Sequence, residues 1–214
     1  MIKLQVFSAA FLLGLFLAPV SAEAGRPLEI EKASEVNVAF QNDERFDKEI
    51  EVRAQNDGER IVIYATFLVP VGPQQAWAVL TDFDNIPNFI SSVQFSKVLN
   101  RTGNNLRVSQ RGTTTYGFIT YAFDSVGEVK LSPFSKIQER MVSGSMRKME
   151  EITVLVQEGH QTRINYHADI VPGHWIPKVP GQFLIENDAR ERFRQIKEEM
   201  IRRGKMLRSP ANIR

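Results

Sequence analysis

Three histidines, His160, His167 and His174, and two close carboxylate pairs, Asp82 with Asp84 and Glu150 with Glu151, are the residues of this chain whose types and spacing could support acid–base or metal chemistry. The histidines fall in a predicted turn, strand and loop respectively. No H-x-x-x-H or C-x-x-C spacing accompanies them, so the sequence offers no metal site and no cofactor site. Glu150 and Glu151 are adjacent on a predicted strand and point to opposite faces, so they cannot share a proton with each other, while Asp82, Asp84 and Asn85 read as capping and turn residues. There is no G-x-S-x-G and no phosphate loop, and Gly112 and Gly117 stand as isolated turn glycines. No catalytic residue is assigned.

The elements that would position these groups can be read from periodicity. Ile50, Val52 and Ala54 alternate with charges, Asn56-Asp57-Gly58 tolerates positive φ, and Ile61, Ile63, Ala65, Phe67 and Val69 resume a period of two, which predicts a β-hairpin. Pro70 and Pro73 stop the strand, Gln74 to Thr81 has helical spacing, and Asp82 to Phe89 is a turn or a short helix broken by Pro87. Six further segments rich in β-branched and aromatic residues follow between Val93 and Val171, separated by tight-turn residues, and predict consecutive antiparallel strands. On the last of these, Ile164, Tyr166, Ala168 and Ile170 make the inward set, and Asn165, His167 and Asp169 are expected on an exposed outer face. Between Gly117 and Val129 alternation leaves the inward register open. Ile185, Ala189, Phe193, Ile196 and Met200 then recur at intervals of three and four, predicting one long amphipathic helix whose stripe must be buried against the sheet.

The segment V-P-V-G-P-Q-Q-A-W-A-V-L-T-D-F-D-N-I-P-N-F from Val69 to Phe89, the strand-rich middle and the closing D-A-R-E-R-F-R-Q-I-K-E-E-M resemble the START-like, polyketide cyclase/dehydrase (SRPBCC) families. The resemblance spans roughly residues 60–208. It implies an α+β helix-grip fold, a curved antiparallel sheet wrapped around a long C-terminal helix, with a domain over residues 49–208 in which 49–59 add an extra hairpin strand. It also implies a cavity that holds a hydrophobic small molecule such as a lipid, quinone or polyketide. Phe89, Phe118, Tyr121, Met141, Tyr166, Trp175 and Phe183 are the candidate ligand-binding residues in that reading, although aromatics and methionines at such positions are also ordinary core. His174-Trp175 would border the cavity mouth. A binding or carrier protein is the first expectation, and a cyclase or dehydratase using the same cavity is the alternative.

Composition narrows the setting. Lys3, an apolar run from Val6 to Val20 and small residues at Ser21, Ala22 and Ala24 read as a secretory signal over residues 1–24, because the run is shorter than the roughly 20 residues of a membrane span. Cleavage is expected after Ala22 or Ala24, giving an exported, periplasmic or secreted, protein. Residues 25–48 form a polar extension and 209–214 a tail. With no cysteine, stability has to come from a core, and about 190 residues of 43% hydrophobic composition suffice for one domain. A formal charge of +2 recommends no nucleic-acid partner. The basic run from Arg190 to Arg214 could meet anionic lipid headgroups in transient membrane-surface contact, but cations at a helix C-terminus also complement the macrodipole.

Overall fold

Alternation of apolar and polar residues builds one curved sheet, and the helical stripe closes it. The structure is a computed structural model and describes residues 50–116, 119–173 and 181–208. The predicted signal, polar extension and tail, with Phe118, His174 and Trp175, lie outside the described residues.

β1 (Glu51–Asn56) and β2 (Ile61–Val69) form the first hairpin. Its turn needs Gly58 at φ +93°, and Asp57 Oδ1 accepts the backbone N–H groups of Glu59 and Arg60 at 2.9 and 2.7 Å. β1 extends the edge of the sheet beyond β2 rather than covering a face. Pro73 opens α1 (Pro73–Leu80), where its missing N–H costs nothing, and a 3₁₀ helix (Phe83–Asn88) contains Pro87. Asp82 precedes that helix without making the expected cap. It accepts Asn85 Nδ2 at 2.8 Å and pairs with Arg203 at 2.8 Å. Asp84 instead ties the 3₁₀ helix to the sheet by accepting the Val98 N–H at 2.7 Å.

β3 (Val93–Thr102), β4 (Asn105–Tyr116), β5 (Ile119–Ser132), β6 (Lys136–Gly144), β7 (Lys148–Glu158) and β8 (Gln161–Val171) follow, and α2 (Gly181–Arg208) ends the described chain. The strand order is β1-β2-β8-β7-β6-β5-β4-β3, antiparallel throughout. All neighbours but one are consecutive in sequence; β2 pairing with β8 joins the beginning of the domain to its end.

Register defines the inner face. Ile63, Ala65 and Phe67 on β2 stand opposite Ala168, Tyr166 and Ile164 on β8, which are in turn opposite Glu151, Thr153 and Leu155 on β7. On β5 the inward set is Tyr121, Phe123, Ser125, Gly127 and Val129, resolving the register that alternation left open. α2 lays Ile185, Ala189, Phe193, Ile196 and Met200 on this face, all buried. The Phe193 ring lies 5.5 Å from that of Phe67 and 4.9 Å, edge on, from that of Tyr166. A buried side chain of that size contributes about 2–3 kcal/mol from area alone.

The expectation of an exposed Asn165, His167 and Asp169 is corrected. They do face away from α2, yet they are only 4%, 8% and 3% exposed. Their cross-strand neighbours cover and satisfy them: Thr66 Oγ1 donates to Asn165 Oδ1 at 2.7 Å, the Tyr64 ring sits 4.8 Å from the His167 ring, and Asp169 accepts Arg60 Nε at 2.7 Å and Lys148 Nζ at 3.1 Å.

Candidate functional site: a cavity beneath the long helix

Between the inner face, the 3₁₀ helix and α2 lies a cavity of about 270 Å³. Curvature of the sheet and the single covering helix leave this space, because the stripe of α2 touches the flanks of the concave face without filling its centre. Much of the wall is apolar and comes from every layer: Ile63 and Phe67 from β2, Ile137 from β6, Ile164 from β8, Phe193 and Ile196 from α2. At one end the wall is made by Thr114, Tyr121, Ser145, Met146, Gly173 and Asp188, where β4 meets β5, β6 meets β7, and β8 and α2 are joined. Thr114 Oγ1 donates to Asp188 Oδ2 at 3.0 Å across that rim.

The interior also has a polar pole. Glu139 on β6 and Glu151 on β7 are cross-strand partners, both on the inner face, and Tyr166 on β8 and Arg192 on α2 reach the same space. Residues directly opposite on neighbouring strands hold their Cβ atoms about 5 Å apart, so two carboxyls here meet. Gly127 supplies the room: a Cβ at that position would stand 2.2 Å from Glu139 Oε1. That oxygen is buried and has no hydrogen-bond partner, and Arg192 Nε is in the same state.

The electrostatics follow from this placement. Both glutamates are part-buried and both border the cavity. Burial, and then the charge of Glu151, push the Glu139 carboxyl up to about 8. Burial also raises Glu151, while a hydrogen bond donated by Tyr166 and the charge of Arg192 hold it back. Tyr166 is raised well above the ordinary phenol value by burial and by Glu151. The arrangement therefore sets two carboxyls, each raised above its ordinary range first by burial, side by side on adjacent strands facing the cavity.

Of the sequence candidates, Tyr121 and Tyr166 line the cavity. Phe89 packs against the core from the end of the 3₁₀ helix with the Arg203 guanidinium 5.6 Å from its ring centre, Met141 is half-buried on β6, and neither lines the cavity. Phe183, on the first turn of α2, is 63% exposed and does not line it either. Phe118 and Trp175 lie outside the described residues. Glu139 and Arg192 were not among the candidates; the signal that could have found Glu139 is a lone carboxylate at an inward position of an otherwise apolar strand alternation, legible only once the β6–β7 register is known. Among the described residues no group of three or more histidines and carboxylates could hold a metal ion.

Residues 69–202 match the family model described as polyketide cyclase / dehydrase and lipid transport. No curated protein matches the sequence. Among solved structures, an aromatase/cyclase from Streptomyces sp. R1128 is similar at a TM-score of 0.58 and 12% identity, over 72% of this chain and 98% of that one. A STAR-related lipid transfer protein fragment from Xanthomonas axonopodis is similar at a TM-score of 0.56 and 10% identity, over 72% of this chain and 99% of that one. A START superfamily protein from Mycobacterium smegmatis is similar at a TM-score of 0.55 and 14% identity, over 66% of this chain and 97% of that one. At these identities the likeness is one of fold, and the fold is the helix grip.

Proposed function

The chain belongs to the polyketide cyclase / dehydrase and lipid transport family, and we propose on that premise that it binds one compact hydrophobic molecule beneath α2 and shields it from water. The observation that carries this is the cavity of about 270 Å³ with its largely apolar wall. That volume lies near the lower edge of the roughly 300–1,000 Å³ usual for ligand pockets, so a single ring system or short chain suits it better than a two-chain lipid. Affinity comes from apolar area removed from water at about 25 cal/mol per Å². The sequence pattern of residues 1–24 supports an exported carrier, which an intact mass lacking 22 or 24 residues from the native host would bear out. Phe183, exposed on the first turn of α2, supports loading by brief contact with a membrane surface.

The test is titration with N-phenyl-1-naphthylamine, a neutral apolar fluorophore. Saturable binding to the wild type is expected, weakened at least about tenfold when Ala189→Trp fills the space under α2. Ile164→Phe fills it from the sheet side if the first variant does not fold. Equal binding by folded, filled variants would remove the cavity from the account.

One observation favours the second reading, a cyclase or dehydratase: two carboxyls from adjacent strands converge inside the cavity, and burial holds Glu139 up at about 8. In that case a carbonyl compound bound there exchanges its α-hydrogens for solvent deuterium faster than in buffer, and Glu151→Gln abolishes the acceleration. No acceleration leaves binding alone.

A further inference from the structure

β2 reads Ile61-Val62-Ile63-Tyr64-Ala65-Thr66-Phe67-Leu68-Val69, an apolar run with little alternation, which is the signature of a strand buried on both faces. The described helices occupy one face only: Leu80 of α1, Phe83 and Ile86 of the 3₁₀ helix and Phe193 of α2 all line the cavity on the inner side. On the outer side Val62 and, on β7, Ile152 are nonetheless only 9% and 7% exposed, and neither belongs to the core beneath α2. Cross-strand contacts satisfy their polar neighbours Asn165, His167 and Asp169, but contacts within a sheet lay no second layer over it.

The same face carries a groove of about 770 Å³. Its walls follow two cross-strand rows, Arg107–Glu128–Arg140–Glu150 and, two residues along the strands, Gln138–Ile152–His167. The second row continues through Tyr64 on β2 to Arg53 on β1, so the groove leads toward the edge strand at which the described chain begins. At its centre one carboxylate stands between two guanidiniums: Arg107 and Arg140 donate to Glu128 at 2.9 and 3.2 Å, with Lys130 on the adjoining row. That balance favours an acidic occupant.

Residues 25–48 have the matching chemistry. They hold six carboxylates against four cations, and Val36, Val38 and Phe40 alternate with Asn37 and Ala39, so an extended chain there offers one apolar side to Val62 and Ile152 and acidic flanks to the arginines. Reach is ample: at about 3.3 Å per residue residues 25–48 span roughly 80 Å, whereas the strand spacings from β1 to β4 add up to about 29 Å. We propose that the outer face of the sheet, from Val62 through the Arg107–Arg140 groove, is the docking surface of residues 25–48 of the same chain, which lie over it as an extended acidic strap. The assignment is independent of what the cavity beneath α2 binds.

The chain has no cysteine, so a nitroxide attached through Asn37→Cys is its single label. In the isotope-labelled chain from Gly25 onward, the expected result is loss of the Gln138, Ile152 and His167 amide signals, recovered when the nitroxide is reduced, while those of α2 persist. Val38→Asp, or Arg107→Glu together with Arg140→Glu, should restore the lost signals; neither arginine lines the cavity. Loss that persists in either variant overturns the proposed seat. Loss in a mixture where nitroxide and isotope sit on different molecules assigns the face to a second copy and overturns the same-chain assignment. Signals retained in every sample leave the face to another partner and overturn it as well.

Discussion

Gly127 has no side chain at the point where the neighbouring strand carries the Glu139 carboxyl, and the two facts depend on each other. Gly127→Ala would force a methyl to within 2.2 Å of Oε1, so the carboxyl must swing toward the cavity centre. The expected cost is about 1–3 kcal/mol of stability by urea denaturation, with the Glu139 carboxyl resonance titrating lower than in the wild type because it gains water. An unchanged titration would show that the carboxyl does not sit where described. The glutamate pair also shows the reach of sequence reasoning at this scale. That Glu150 and Glu151 cannot share a proton follows from strand geometry and holds; that Glu151 instead faces Glu139 depends on a register twelve residues distant, which no local pattern encodes. The same blindness placed Asn165, His167 and Asp169 on an open surface, since alternation distinguishes two faces of a strand but not whether neighbours cover the outer one.

At the level of elements, α2 closes the cavity and its stripe was legible directly. Ile185, Ala189, Phe193, Ile196 and Met200 were identified from spacing alone, and each is buried. Phe193 packs on the adjacent strands β2 and β8 through Phe67 and Tyr166. Phe193→Ala is expected to cost about 3–5 kcal/mol, seen as a lower urea midpoint with little change in slope. A loss below 1 kcal/mol would mean that the helix rests only loosely on the sheet. The consecutive hairpins were equally legible, because tight turns force antiparallel neighbours. Whether β1 widens the sheet or covers it was not, because an edge strand and a covering strand show the same alternation; Ala54 N–H donating to Glu186 Oε1 at 2.9 Å fastens that edge to α2.

For the molecule as a whole, two ionisable groups bracket the pH range of stability. Asp169 is held down at about 2, first by the hydrogen bond from Arg60 and also by Lys148, so its contribution is complete above its ordinary value of 3.8 and is lost as the pH falls toward 2. Glu139 acts in the opposite sense: its folded value of about 8 exceeds its ordinary 4.5, so the folded state holds a proton that the unfolded chain releases, and stability present below pH 4.5 is lost as the pH rises through 8. Melting temperature against pH should therefore decline on both sides, with Asp169→Asn flattening the acid limb and Glu139→Gln the alkaline one. An alkaline limb that persists in Glu139→Gln would show that another group sets it. The architecture was recognisable from the order of elements, since a strand, two short helices, a run of hairpins and a terminal helix leave few other ways to bury that helix.

The pairing of β2 with β8 sets when this protein can exist. Every other strand joins a partner made just before or just after it, but the second strand waits for the eighth, about a hundred residues later, and the oily concave surface waits longer still for the final helix. Until that helix has been made and has docked, the greasy concave sheet stands uncovered, so an incompletely folded chain exposes the surface most prone to aggregate.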